Sequence, residues 1–170
     1  MNLRSAVLVG AYIATIPASN VLVDQLGAVP VGFGYVAPAG VYTVGLALVL
    51  RDLAREVAGK AAVLAAIAIG AVLSWWLAAP ALAVASMVAF TVAELADFAV
   101  YEPLRRRGMP VAVAVSNAVG ILADSVLFLW LAFGSLAFLP GQLLGKAWMT
   151  VLAVAVPAVV QQHRNRRWVA

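Results

Sequence analysis

Two carboxylates lie three residues apart within a long apolar run of the chain. Glu94 and Asp97 fall on one face of a predicted helix, and Phe90 and Tyr101 share the same narrow stripe. Ionisable groups at membrane depth cost about 2.5 to 3.5 kcal/mol each on insertion scales and usually mark a transport pathway or a ligand site. The pattern therefore predicts a functional polar site in a membrane helix; a helix-packing pair satisfied by its neighbours is the alternative.

Further polar residues lie in other apolar stretches. Asn117 and Asp124 are seven residues apart, which brings them to nearly the same angle on one helix, and Lys146 shares a stripe with Gln142 in the last apolar stretch. Asn20 ends the first stretch. Three acids and one base in the spans give a net charge of −2. We therefore expect that a carboxylate is protonated or that a cation or a donor-rich ligand completes the site.

This set of side chains is suited to a guanine-like ring. A carboxylate accepts hydrogen bonds from two adjacent N–H groups, an amide or a lysine donates to the carbonyl beside them, and aromatic rings lie against the base. We expect Glu94 to take the N–H edge, because it has the longer reach, and Phe90 and Tyr101 to flank the ligand. Lys146 is expected to pair with one of the acids, with Asp97 as a candidate. A proton pathway would use the same residues.

Composition indicates an integral membrane protein. The 170 residues are 65% hydrophobic and 11% charged, whereas a soluble domain is about 25% charged. The chain has no cysteine, and its single histidine, His163, lies in a basic tail. These features exclude thiolate metal sites and argue against Ser/His chemistry in the membrane, and neither a P-loop nor an H-E-x-x-H motif is present. The sequence predicts no enzyme, no cofactor and no metal.

Hydropathy predicts an all-α, polytopic protein with six transmembrane helices in a single domain of residues 1–170. The predicted spans run from about Ser5 to Val23, Ala39 to Leu50, Ala61 to Ala78, Ala81 to Tyr101, Pro110 to Phe133 and Gln142 to Val160. The charges of RDLAREVAGK, after the second span, are predicted to lie at the membrane interface. The apolar, Gly- and Pro-rich connection 27–40 is expected to pack on the protein or dip into the membrane, either as a lid or as a structural connection.

The loops between these spans differ in charge. One side holds ten of the eleven basic residues: Arg4, Arg51, Arg55, Lys60, Arg105, Arg106, Arg107, Arg164, Arg166 and Arg167. By the positive-inside rule both termini are cytoplasmic. The arginines are then topological anchors, which argues against nucleic acid as a partner.

Four segments resemble the queuosine precursor transporter family, also called the VUT or vitamin-uptake-like family. They are NVLVDQLGAVPVGFGYVAPAGVY, ELADFAVYEPLRRRG, SNAVGILADSVLFLWLAFGS and GQLLGKAWMT, which together reach from about Asn20 to Thr150. The ordered set that carries the resemblance is Asn20, Glu94, Asp97, Asp124, Ser125 and Lys146. The resemblance implies a six-span inner-membrane importer of 7-deazaguanine bases such as 7-cyano-7-deazaguanine, used for tRNA modification. It also implies a fold similar to the substrate-binding subunits of energy-coupling-factor transporters.

Two functions of different kinds follow. The first is an importer of a purine-like base, with a substrate site formed by Glu94, Asp97, Asn117, Asp124, Lys146, Asn20, Phe90 and Tyr101. The alternative is a vitamin-type capture subunit that works with a separate ATPase, for which small residues at four-residue spacing from Ala6 to Ala18 would be the docking face. A proton channel and a homo-oligomer are also compatible with the sequence.

Overall fold

The computed structural model describes residues 3–104, 106 and 109–152. Six helical segments and one β-hairpin follow one another: α1 (Leu3–Leu26), β1 (Ala28–Gly32), β2 (Tyr35–Pro38), α2 (Val41–Ala58), α3 (Lys60–Leu77), α4 (Pro80–Leu104), α5 (Met109–Phe133) and α6 (residues 139–152). The six helices occupy the positions of the six predicted spans. The predicted continuation of the last span to Val160 and the basic tail lie outside the described residues.

Four of the described helical stretches are long and apolar enough to cross a membrane: Leu3–Leu26, Lys60–Leu77, Pro80–Leu104 and Ala114–Phe133. Helix α2 is not among them, because its second half carries four charged residues, Arg51, Asp52, Arg55 and Glu56. The helical, multi-pass membrane architecture is therefore confirmed, and the count of six crossings stays a prediction.

Polar and apolar side chains are distributed as in a membrane protein. Trp76 is 81% exposed and Leu77 is 60% exposed on the outer surface, whereas Asn20, Glu94 and Lys146 are buried. A water-soluble protein would place these groups the other way round. Lipid can cover the outer apolar side chains, so the interior is free to hold the polar ones.

Two apolar clusters of the described residues join α1 to other helices, and a third joins the hairpin to α2 and α6. Tyr12 and Ile16 of α1 pack with residues of α2, α3 and α4, including Ile67. The second cluster joins α1, α4 and α5 through Val23, Leu82 and their neighbours. It lies where α1 and α5 end and where α2, α4 and α6 begin, and we call this the hairpin end of the bundle.

The connection between α1 and α2 is an antiparallel hairpin rather than an irregular loop. Its register pairs Ala28 with Pro38 and Pro30 with Val36, and the turn is formed by residues 32–34, which all have positive φ. Gly141 of α6 lies directly against the backbone of Val36, where any β-carbon would overlap the carbonyl oxygen. The hairpin is therefore packed closely on the start of α6.

Candidate functional site

A small cavity lies at the hairpin end, enclosed by α1, α2, α4, α5, α6 and the end of the hairpin. Its polar lining includes Asn20, Ser86, Asp124 and Gln142, and its aromatic lining is Phe90 and Phe128. Its volume is about 10 Å³. That is room for about one water molecule, so the structure shows this site closed.

A buried ion pair forms one wall of the cavity. Lys146 is fully buried on α6, and its Nζ donates to Asp124 Oδ2 at 2.5 Å and to Ser125 Oγ at 2.7 Å. Ser125 in turn donates to the carbonyl of Ile121 at 2.7 Å, which orients its oxygen to accept from the lysine. A single buried charge would be strongly unfavourable, and this pairing neutralises both groups. The prediction that Lys146 pairs with an acid is confirmed. Its partner is Asp124 and not Asp97, the candidate that the sequence suggested.

Two amides complete the polar lining. Ser86 Oγ donates to Asn20 Oδ1 at 2.6 Å, which links α4 to α1. Asn20 Nδ2 and Gln142 Oε1 are buried and have no hydrogen-bond partner within the described part of the chain. Ser86 gave no signal in the sequence, because it is one small residue among alanines. The sequence placed Gln142 on the stripe of Lys146, one turn before it, but Gln142 was not among the predicted site residues.

A second polar cluster, which we call the ion cluster, joins α2 to α4 farther from the hairpin. Arg51 Nη1 lies 3.3 Å from Glu94 Oε2. Arg55 Nη1 lies 3.6 Å from Glu94 Oε1 and donates to Asp97 Oδ2 at 2.9 Å. Arg51 also contacts Asp52 at 2.8 Å, and only 5% of Arg51 is exposed. Arg51 therefore lies between the helices and not on a solvated surface, while the position of this charge cluster at the membrane interface stays a prediction.

The arginines also correct the predicted charge balance. Arg51, Arg55 and Lys146 contact Glu94, Asp97 and Asp124, so each buried acid of the spans has a cation beside it. Arg51 also contacts Asp52, which makes three bases and four acids, a net charge of −1 in place of the predicted −2. Within residues 3–104, 106 and 109–152, no group of three His, Asp or Glu side chains is placed to hold a metal ion.

The predicted site residues divide between these two clusters. Asn20, Phe90 and Asp124 line the cavity, with Lys146 behind Asp124. Glu94 and Asp97 belong to the ion cluster, and the ring of Tyr101 lies 5.9 Å from the Arg55 guanidinium. Asn117 is partly buried on α5, one turn before Gly120, which approaches Asp97. The residues expected in a single site therefore lie in two clusters, and Glu94 contacts arginines and does not line the cavity.

The comparisons with known proteins agree with a transport role. Residues 74–161, just over half of the chain, match the model of a family described as "putative vitamin uptake transporter". The matched region covers α4, α5 and α6, and thus Asp124, Gln142 and Lys146, whereas Asn20 and Arg51 lie outside it. A search of curated proteins gave no significant match, and a search of solved structures gave none either. From this match and its apolar helices, the chain belongs to the vitamin uptake transporter family, a family of membrane transporters rather than enzymes.

Proposed function

We propose that this protein imports a 7-deazaguanine base, a queuosine precursor such as 7-cyano-7-deazaguanine, across the inner membrane with both termini in the cytoplasm. The observation that carries the proposal is the cavity at the hairpin end, where a buried Lys146–Asp124 pair lies beside two phenylalanine rings. The family match supports uptake of a small molecule. The cavity lining supports a planar ligand with several hydrogen-bonding groups.

In this proposal Asp124, and not Glu94, is the carboxylate that binds the base. Asp124 lines the cavity, and its Oδ2 accepts a hydrogen bond from the buried Lys146. An ionised carboxylate is a suitable acceptor for adjacent N–H groups of a guanine-like ring. Phe90 and Phe128 can pack against the ring faces. We therefore assign to Asp124 the role that the sequence suggested for Glu94.

The hairpin is the proposed lid of this site. Pro38 and Gly40, at its end, line the cavity, so an outward movement of the hairpin would enlarge it. A cavity of about 10 Å³ is far below the roughly 300 to 1,000 Å³ of ligand sites, so binding of a base requires such an opening. Trp148 of α6 binds the lid through two contacts. Its Nε1 donates to the carbonyl of Val31 at 3.1 Å, and its ring stacks on Phe33.

The distribution of basic residues indicates which side of the membrane the lid faces. Arg51, Arg55, Lys60 and Arg106 all lie toward the end of the bundle opposite the hairpin. The positive-inside rule puts that end in the cytoplasm and the hairpin outside. A base would then reach the cavity from outside, and the ion cluster would close the route on the cytoplasmic side.

Rescue of tRNA modification tests the proposal directly. A host that lacks both precursor synthesis and its own importer should regain queuosine in tRNA when it expresses this protein and receives 7-cyano-7-deazaguanine. Asp124→Asn should lower the rescue, while Lys60→Met, at an exposed residue far from the cavity, should not. Equal membrane levels of the three proteins are the control. If no 7-deazaguanine base restores queuosine, the proposed substrate is wrong.

The alternative, a vitamin-capture subunit that works with an ATPase, also has a supporting observation. Gly10, Ala14 and Ala18 lie exposed along one face of α1, as a docking surface for another membrane helix would require. Co-purification of an ATPase with the protein, abolished by Gly10→Leu, would favour this alternative. Rescue by the protein in a host without such an ATPase would exclude it.

A further inference from the structure

Asn20 and Gln142 present unused hydrogen-bonding groups to the cavity. They come from different helices, Asn20 from α1 and Gln142 from the start of α6, and only 1% and 2% of their surfaces are exposed. Asn20 Nδ2 and Gln142 Oε1 have no hydrogen-bond partner in the described part of the chain. Buried polar atoms are rarely left unpaired, because each costs the free energy of its lost hydration. Two such atoms on residues that line one cavity can take their partners from a ligand that enters it.

The surrounding contacts define what each amide offers. Ser86 donates to Asn20 Oδ1 and so leaves the NH₂ group of this amide as the free donor. Gln142 offers its carbonyl oxygen, a free acceptor. The cavity therefore presents one donor and one acceptor beside two aromatic rings. The complementary ligand is a flat ring with a carbonyl next to an N–H group, which is a lactam edge.

We propose that Asn20 and Gln142 recognise the lactam edge of the transported ring: Asn20 Nδ2 donates to the ligand carbonyl and Gln142 Oε1 accepts from the neighbouring N–H. For a 7-deazaguanine this inference rests on the proposed function, and it makes Gln142 a residue that determines specificity. Asp124 remains available for other N–H groups of the same ring. Rings without a lactam edge leave both amides unpaired and bind less tightly.

Binding to purified protein, measured by calorimetry with paired ligands, tests this role. The probes are 7-cyano-7-deazaguanine and 2-amino-7-cyano-7-deazapurine, which lacks both the carbonyl and the neighbouring N–H. Gln142→Met should weaken binding of the first about two- to tenfold and leave binding of the second unchanged. Gln142→Glu keeps an acceptor oxygen and should bind the lactam better than Gln142→Met does. Gln25→Met, the same change at an exposed residue of α1, is the matched control.

The outcomes separate this inference from the proposed substrate. If Gln142→Met weakens both ligands equally, or neither, the lactam assignment is wrong even though the protein binds the base. If the parent does not bind 7-cyano-7-deazaguanine, the same measurements are made with guanine, uracil, biotin and riboflavin, which also carry adjacent carbonyl and N–H groups. Binding of one of these with the same dependence on Gln142 supports the inference and refutes the substrate. Binding of none refutes both.

A second variant keeps the inference testable if Gln142→Met does not fold. Asn20→Leu removes the free donor on α1 and should likewise weaken binding of the lactam ligand alone. Thermal unfolding of each purified variant shows whether it is folded before binding is measured. A folded Asn20→Leu protein that discriminates the two probes as well as the parent does would also overturn the inference.

Discussion

Replacement of Lys146 by methionine should destabilise the protein far more than the small change in side-chain volume suggests. Methionine has nearly the length of lysine and carries no charge, so packing changes little. The substitution removes both hydrogen bonds that Nζ donates, at 2.5 Å to Asp124 and 2.7 Å to Ser125, and it leaves the Asp124 carboxylate buried without a cation. Breaking a buried pair by removing one partner costs about 3 to 5 kcal/mol. We expect the free energy of unfolding to fall by an amount in this range.

The chain offers a matched control for this change. Lys60 is exposed at the start of α3, and its Nζ lies 4.0 Å from the centre of the Phe98 ring. Loss of an exposed cation–π contact is worth about 0.5 to 1 kcal/mol, so Lys60→Met should cost several-fold less than Lys146→Met. Reversible unfolding in mixed detergent and SDS micelles, followed by tryptophan fluorescence, measures both.

A double variant shows whether the loss of stability comes from the unpaired Asp124 carboxylate or from lost packing. Asp124→Asn, added to Lys146→Met, replaces the unpaired carboxylate with a neutral amide of the same shape. Most of the lost stability should return, because the uncompensated charge is the main cost. Two results would refute the reasoning: equal destabilisation by Lys146→Met and Lys60→Met, or a double variant as unstable as Lys146→Met alone.

Three further predictions concern the lid, the ion cluster and the topology. Trp148→Phe keeps the aromatic ring but removes the hydrogen bond to Val31, so hydrogen exchange of the hairpin amides should rise about two- to tenfold; unchanged exchange would mean that this bond does not hold the lid. Arg55→Gln removes the charged hydrogen bond to Asp97 and should cost about 1.5 to 3 kcal/mol in the same unfolding assay, whereas no loss would mean that the contact is not formed in the membrane. A reporter fused at Gly134 should be external, and a cytoplasmic signal there would contradict the predicted topology of six spans with cytoplasmic termini.

The helices could be predicted from the sequence because their signals are local. Apolar runs separated by glycine, proline or charge define each helix without knowledge of its neighbours. The inward direction of polar residues was also predictable, since lipid excludes them: Glu94, Asp97 and Lys146 are all buried. The strands of the hairpin were not predicted, because its glycines and prolines indicated a break in the helix and not which residues pair across it.

The partners of the charged residues could not be predicted in the same way. Arg51 and Arg55 have the spacing of a solvated helix end, and nothing within α2 shows that α4 passes beside it. An arginine side chain is long enough to reach a carboxylate on a neighbouring helix, so its own position in the sequence does not fix its depth. For the same reason the sequence could not decide whether Lys146 pairs with Asp97 or with Asp124. Pairing across helices is a property of the packing, and the charge balance follows from it.

The two clusters suggest which side of the bundle opens first. Ser86 of the cavity and Glu94 of the ion cluster are eight residues apart on α4, a rise of about 12 Å, and the buried Phe90 lies midway between them. The hairpin is held on α6 by the Trp148–Val31 hydrogen bond, by the stacked rings of Phe33 and Trp148, and by apolar packing of its buried Val31. The opposite end is held by three arginine–carboxylate contacts between α2 and α4, all of them to Glu94 and Asp97, which are each 1% exposed. Separating those groups would leave buried carboxylates without a cation, at a cost of about 3 to 5 kcal/mol, whereas movement of the hairpin separates none of these ion pairs. We therefore expect the hairpin side to open before the ion cluster, which opens only when ligand binding or a partner protein supplies the free energy.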